Sequence, residues 1–468
     1  MPEANGLDLP LGLSIETDPD LIASYAQGWR GEQGRAMFVA RPSSTEEVSA
    51  IVRECVRVGI HLTPQSGRTG LVGASVPGDT ERQGILSLER LRGTFELDRV
   101  NRSLTCSAGF RLSEINERLQ DDGLFFPIDL GADPCIGGMV ATNTGGSRLL
   151  RYGDVRANTM GLEVVLGDRE GSTLSVGNNW RKYATGPDWK HLFIGTGAAF
   201  GIVTSCTVNL ARRPHAQAAA LLALSDEGAL PHLLVRLEET FGSLLSACEF
   251  MSANAVRAAN AHVRQLKKPF GHDHIPELTL LVELSCDWPQ AEQDKPLQDS
   301  LIEGLAPLCE DEACKLSDVV FGRTEEIWAI RHALSEGVRN LGRLYAFDLS
   351  FSRRDVLAFR QHMRDQLART YPEVRVCDFG HVGDGGIHFN LVDLIDAADW
   401  THDREQSVRD LVITTAVEQF DGCYSAEHGV GPVNYKFFER YASARERDFT
   451  AALEGVTSGQ RLGRVHFS

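Results

Sequence analysis

The stretch FGHVGDGGIHFN, residues 379 to 390, sets His381 and His388 seven positions apart around a glycine-rich turn. VGDGGI reads as a β-hairpin with Asp384-Gly385 as its two-residue loop. In that register Gly383 faces Gly386, Val382 faces Ile387, and His381 faces His388. Directly opposed residues share a sheet face, with Cβ atoms about 4.5–5.5 Å apart. Two imidazoles so placed can meet one metal ion at about 2.0–2.1 Å each. They can equally bond to each other in an ordinary hairpin, and the spacing leaves both readings open. Asn390 falls on the same face by the period of two. A metal needs a third ligand, and YSAEHGVGP, 424 to 432, supplies an adjacent Glu427 and His428. On its own that pair also suits a charged surface turn. GHDH, 271 to 274, reads as a solvated loop.

Small residues concentrate in three other places. PQSGRTGLVGASVPG carries Gly67, Gly70 and Gly73 at every third position. PIDLGADPCIGGMVATNTGGSRLLRYG carries Gly137, Gly138, Gly145 and Gly146, and GTGAAFGIVT spans 195 to 204. Glycine lets backbone N–H groups turn toward an anion and lets a phosphate approach closely. Each loop alone could be a tight turn and no more. No GxxxxGK[ST] is present, which excludes a Walker-type P-loop. Gly195, Gly197 and Gly201 nearly form GxGxxG, but the β-branched GIVTSCTVNL follows where a dinucleotide fold needs a helix.

These residues need elements to hold them. SSTEEVSAIVRECVRVG, 43 to 59, predicts a helix: Ser44 and Glu47 have capping-box spacing, and Val48, Ile51, Val52, Cys55 and Val56 form one stripe. Gly59 stops it. IHLTP, GILSLERL and RSLTCSAGF read as strands, and LSEINERLQDDG as a helix ending at Gly123. Residues 162–176 predict a hairpin turning near Asp168 to Gly171. Residues 192–210 predict strand, small-residue turn, strand. Residues 352–372 and 403–420 read as helices. The glycine-loop style stops near Pro214, so the expected organisation is a domain over 1–213, an inserted α+β domain over 214–416, and a C-terminal segment over 417–468.

Composition narrows the function classes. The chain has 468 residues, enough for two or three domains. Its formal net charge of -17 argues against nucleic acid as a partner. No stretch reaches the roughly 18 apolar residues of a membrane span, and MPEANGLDLPLG does not read as a signal peptide. Ten cysteines without CxxC pairs suit the reduced thiols of a cytoplasmic protein.

Taken together, the glycine loops resemble the FAD-binding domain of the vanillyl-alcohol oxidase/p-cresol methylhydroxylase superfamily, from ARPSSTEEVSAIV at residue 40 to about 210. The resemblance implies an α+β fold: a two-subdomain FAD-binding domain, an α+β cap that binds substrate, and a small helical C-terminal segment. Pro64, Gln65, Ser66, Gly67, Arg68, Thr69, Gly70, Gly73 and Ala74 would form the pyrophosphate loop. Asp133, Pro134, Ile136, Gly137, Gly138, Thr142, Asn143, Gly145 and Gly146 would line the flavin and its linker, with Tyr152, Gly153, Gly201, Ile202 and Val203 nearby. Arg68 stands where such loops carry glycine, and Gly197 where glutamate is common. The loop from 64 to 74 has no histidine to tether the flavin, so the FAD is expected to be non-covalent.

GHVGDGGIHFN and SAEHGVG resemble the paired motifs of the FAD-linked D-2-hydroxyacid dehydrogenases, the type that includes D-2-hydroxyglutarate dehydrogenase, D-lactate dehydrogenase and the glycolate oxidase flavin subunit. By that resemblance His381, His388 and Glu427 bind a divalent metal, zinc by preference. His428 is the general base and Asn390 a substrate contact. Gly386 stands where asparagine is usual. IWAIRHALSEGVRNLGRLYAFDLS resembles the family's tryptophan-x-x-arginine element, which makes Arg331 the partner of a substrate carboxylate; without the resemblance a helix-surface arginine is an equally good reading. Hydroxyglutarate enzymes carry a lysine where this chain has Ala346. Arg339 and Arg343 are near but out of register. The expected reaction passes a hydride from a D-2-hydroxyacid, D-2-hydroxyglutarate or D-lactate-like, to FAD. An electron-transfer flavoprotein, a quinone or a cytochrome would reoxidise it. Oligomeric state is open, with a homodimer one option. The rivals are a zinc hydrolase with the same ligands, which no HExxH or GxSxG supports, and a flavin-free binding protein.

Overall fold

Ser44 Oγ accepts the Glu47 N–H at 3.3 Å and starts helix Thr45–Val58, and Gly59 ends it in the left-handed region at φ 70°. The computed structural model describes residues 13–468 except 80–81, 265, 271–273, 290, 292–293, 397 and 460–461. The MPEANGLDLPLG stretch and 271–273 of GHDH lie outside the described residues. The chain forms two compact units. One comprises the residues up to Gly146, Gly153–Arg212 and Glu427–Ser468; the other comprises Ser147–Tyr152 and Arg213–Ala426.

In the first unit, helix Thr45–Val58 turns its stripe onto strands. Val48, Ile51, Val52 and Cys55 pack with Phe38, Ile60, Leu62 and Leu86. Each fully buried aliphatic side chain contributes about 1.5–3 kcal/mol. Strands Val39–Ala40, Gln83–Ser87 and His61–Gln65 run parallel, with Ile15–Glu16 antiparallel at the edge. A second sheet is antiparallel, in the order Phe95–Asp98, Ser103–Ser107, Ile202–Asn209, Thr159–Val165, Thr173–Gly177. The predicted 162–176 hairpin forms with Leu162 opposite Val176.

Two expectations fail here. The first strand expected within 192–210 is absent. Instead the N–H groups of Gly195 and Gly197 donate to Val140 O at 2.9 Å and Ala141 O at 2.8 Å. The segment thus satisfies carbonyls at the end of helix Ile136–Thr142, which would otherwise be orphaned. The expected C-terminal piece over 417–468 is also divided. Residues up to Ala426 belong to the second unit, where Ser350 and Cys423 exchange two backbone hydrogen bonds at 3.1 and 2.8 Å. The remainder belongs to the first unit, where the Gly463 N–H donates to Leu62 O at 2.8 Å.

The second unit is built on an eight-stranded antiparallel sheet. Its order is Leu316–Gly322, Ala216–Leu224, Leu278–Cys286, Leu245–Ser252, Phe379–Gly380, Gly386–Asp393, Arg343–Ser350, with Val374–Val376 also pairing Gly386–Asp393. Helices Ala253–His262 and Thr324–Leu341 pack against it through Val256, Ala259, Trp328 and Leu334. Gly337 allows their close approach, since a Cβ there would lie 2.4 Å from Ala259 Cα. Among the described residues no helix is long and apolar enough to cross a membrane. All ten cysteines are free thiols, eight of them buried.

Candidate active site

The turn before strand Gly386–Asp393 is wider than the spacing predicts. Phe379, not His381, lies opposite His388 in the ladder. The His381 carbonyl accepts the N–H groups of both Asp384 (3.0 Å) and Gly386 (3.1 Å), and Asp384 Oδ1 accepts the Gly386 N–H at 2.8 Å. A two-residue type I′ loop needs positive φ at both central residues. Only Gly385 has it, at 93°, where a Cβ would lie 2.2 Å from Phe351 O. The two histidines meet nonetheless. Their Nε2 atoms are 3.2 Å apart, with ring centroids at 5.1 Å and planes at 79°.

Glu249 orients this pair. Its Oε1 lies 2.7 Å from His381 Nδ1 and its Oε2 accepts the Arg331 Nε–H at 2.7 Å. A carboxylate only accepts, so His381 Nδ1 carries a proton, and when the ring is neutral Nε2 keeps its lone pair. Burial raises the Glu249 carboxyl, but the charges and hydrogen bonds of His381 and Arg331 outweigh it and hold it below the usual range. Arg331 is buried rather than on the helix surface, with its guanidinium 4.8 Å from the Phe379 ring centroid. Its two terminal nitrogens have no hydrogen-bond partner among the described residues. The Phe379 ring also packs against His388, at 5.6 Å.

His388 and Asn390 share one face, opposite Asp348 and Ala346 respectively. Asn390 is 6% exposed, and its amide bonds to no described residue. Arg343 cannot stand in for a lysine at 346. It projects from the other face of its strand and lies over the Trp400 ring at 3.4 Å. Arg339 is exposed. An added Cβ at Gly386 would lie 2.9 Å from Asp384 Oδ1 and 3.5 Å from His381 Cβ, so the turn's own carboxylate crowds this position.

A tetrahedral ion with bonds of 2.0–2.1 Å sets its nitrogens about 3.3 Å apart. The 3.2 Å separation therefore fits a shared metal as well as a hydrogen bond. Along strand Arg343–Ser350 the Ala426 N–H donates to Asp348 O at 3.2 Å. Glu427 and His428 follow directly in sequence and belong to the first unit. There Glu427 Oε1 accepts the Gly146 N–H at 3.1 Å and lies 2.8 Å from where a Gly145 Cβ would stand.

The glycine loops of the first unit meet backbone to backbone. A Cβ on Gly67 would come within 3.0 Å of Cys135 N and 3.2 Å of Pro134 Cα, and one on Gly138 within 3.0 Å of Ser66 Oγ. No backbone N–H from Gly67 to Ala74 donates to a described residue. Backbone N–H groups are rarely left unpaired, and a run of them can receive an anion such as a diphosphate. Polar side chains nearby are spent within the unit. Asp133 accepts from Ser113, Asn143 bonds Asp154 and the Arg156 N–H, and Thr142 donates to Gly138 O. Gly201, Ile202 and Val203 are buried at the start of strand Ile202–Asn209. Arg68 adopts φ 56°, where glycine is favoured; it donates to Ser24 O at 2.7 Å and covers the Tyr25 ring. Gly197 has φ 57°, and Val465 Cγ2 would lie 2.5 Å from its Cβ, so the C-terminal segment fills the space a glutamate would need.

Residues 36–177 match the family model described as FAD binding domain, and residues 213–454 match that of FAD linked oxidases, C-terminal domain. The chain belongs to the FAD-linked oxidase family. A D-2-hydroxyglutarate dehydrogenase of Danio rerio is 33% identical, over 92% of this chain and 78% of its own. One of Xanthomonas citri pv. viticola is 31% identical, over 95% and 91%. The solved structure of p-cresol methylhydroxylase superposes with TM-score 0.70 at 15% identity, over 94% of this chain and 91% of that one. The expected flavoprotein fold and family are met, and this oxidase-family chain is an FAD-dependent oxidoreductase. The hydrolase reading is thereby set aside.

Sequence reading missed Glu249. It also missed a second buried acid, Glu283, which Arg148 holds with two hydrogen bonds of 2.8 Å and Trp328 Nε1 with one of 2.7 Å. Each is the single acid in an otherwise uncharged strand, LSACEFMS and LTLLVELSC. A charge inside such a run was the available signal. Arg148 lies in Ser147–Tyr152, the segment that joins the second unit, and Leu150 Cδ1 lies 2.5 Å from where a Gly383 Cβ would stand. Tyr152 falls in the second unit and Gly153 in the first.

Proposed function

We propose that the protein oxidises a D-2-hydroxyacid to the 2-oxo acid. The observation that carries this reading is the His381–His388 pair, with Nε2 atoms 3.2 Å apart, beside an arginine whose terminal nitrogens are unspent. His381, His388 and Glu427 would hold a divalent metal, zinc by ligand type. Pro64–Ala74 and 133–146 would hold non-covalent FAD. When bound, FAD supplies the hydride acceptor, and the metal supplies charge that acidifies the substrate hydroxyl.

The protein's side chains do the rest. Arg331 binds the C1 carboxylate through its terminal nitrogens, a charge-assisted contact that fixes C2 relative to the pair. Asn390 presents its amide to the substrate from the same face as His388. His428 takes the hydroxyl proton on an imidazole nitrogen as the C2 hydride leaves. D-2-Hydroxyglutarate is the first substrate to test because the curated relatives are named for it. Position 346 offers no cation to its distal carboxylate, so a D-lactate-like monocarboxylate competes with it. His428→Ala should lower kcat by about 100- to 10,000-fold, the usual worth of a general base. His388→Ala should abolish metal uptake. Wild-type turnover by either variant would sink the assignment.

A further inference from the structure

Strand Leu245–Ser252 runs through the middle of the second unit's sheet with every residue buried, and Glu249 is its one ionisable acid. We infer that Glu249 is the positioning residue of the site: it makes His381 a metal ligand and aims Arg331 at the substrate. This rests on the metal and substrate reading just given. Each oxygen of Glu249 has one partner. Oε1 accepts the His381 Nδ1–H and Oε2 accepts the Arg331 Nε–H, both at 2.7 Å. The first bond sets the tautomer that leaves His381 Nε2 basic, and that nitrogen is the one facing His388. Metal-binding histidines commonly pass their other N–H to a carboxylate in this way. The second bond engages the inner nitrogen of the guanidinium and leaves the terminal pair for a planar carboxylate. An ion pair serving stability alone would need Arg331 but not the imidazole.

The isosteric amide separates these roles. A glutamine has one accepting oxygen and one donating nitrogen, so it cannot accept from both partners. With its oxygen toward Arg331, its amide donates to His381 Nδ1 and the ring proton moves to Nε2, the metal-facing atom. With its oxygen toward His381, its amide opposes the Arg331 Nε–H. One function is lost in either orientation.

The test is zinc titration of the flavin-loaded protein in competition with a chromophoric chelator. Flavin absorbance and melting temperature report on the fold. Glu249→Gln should weaken zinc binding by about 10- to 100-fold while flavin content stays at the wild-type level. Arg331→Met should raise KM but leave zinc affinity within about threefold of wild type, since it does not touch the imidazole. Glu249→Asp keeps the charge on a shorter stem that reaches only one partner; it should fall between, and it serves if the glutamine variant does not fold. Wild-type zinc affinity in both Glu249 variants overturns the inference. If His381→Ala also binds zinc like wild type, or wild type binds none, the metal reading itself has failed.

Discussion

Replacing Ala346 by lysine should convert the substrate preference. Ala346 sits directly across the ladder from Asn390 and on the face that carries His388. It is half-buried, so a four-carbon stem can run along the sheet and deliver an ammonium to the substrate side. A hydrogen bond to a charged group contributes about 1.5–3 kcal/mol. At 1.4 kcal/mol per tenfold, the ratio of kcat/KM for D-2-hydroxyglutarate over D-lactate should rise about 10- to 100-fold. Asp348, two residues along on the same face, competes for the ammonium and sets the lower end. Ala346→Met supplies the stem without the charge and should leave the ratio within about threefold of wild type. The assay is steady-state kinetics with both acids and an artificial electron acceptor. An unchanged ratio in Ala346→Lys, or one equal to that of the methionine variant, would refute the placement of the distal carboxylate.

Gly197→Ala combines a positive φ with a Cβ 2.5 Å from Val465 Cγ2, and should cost about 2–4 kcal/mol in chemical denaturation. Adding Val465→Ala should recover the overlap part and leave the backbone part. Arg148→Met strands the fully buried Glu283 and should destabilise by about 3–5 kcal/mol. Burial raises the Glu283 carboxyl, but Arg148, Ser246 and Trp328 together hold it below the usual range. Its contribution is therefore present above the unfolded carboxyl pKa of about 4.3 and lost as pH falls through the lower folded value. Glu283→Gln should flatten the fall of stability with pH in that window, read from urea midpoints between about pH 5 and 3.

Much of the frame was legible because it depends on local pattern. Ser44, Glu47 and Gly59 bracket one helix, and the 162–176 turn forms as its residues require. The register of the histidine turn was not legible. A two-residue loop and a wider one use the same glycines, and the turn packs on groups distant in sequence, with Phe351 O close to Gly385 and Leu150 close to Gly383. The strand expected at 192–210 failed for a similar reason, since the carbonyls of helix Ile136–Thr142 compete for its N–H groups. Residue types named His381 and His388, and the family resemblance named Arg331. Glu249 lies more than 80 residues from Arg331 and more than 130 from His381, and only the sheet with the helix Thr324–Leu341 packed on it brings the three together.

Anaerobic mixing of the purified protein with D-2-hydroxyglutarate, and separately with D-lactate, tests the central claim most directly. The account predicts a yellow protein whose flavin band bleaches with one of these acids, with one equivalent of 2-oxo acid formed per flavin reduced. It predicts slower bleaching when C2 carries deuterium. A flavin that stays oxidised with every D-2-hydroxyacid offered, or that bleaches equally with the L-enantiomers, would contradict it.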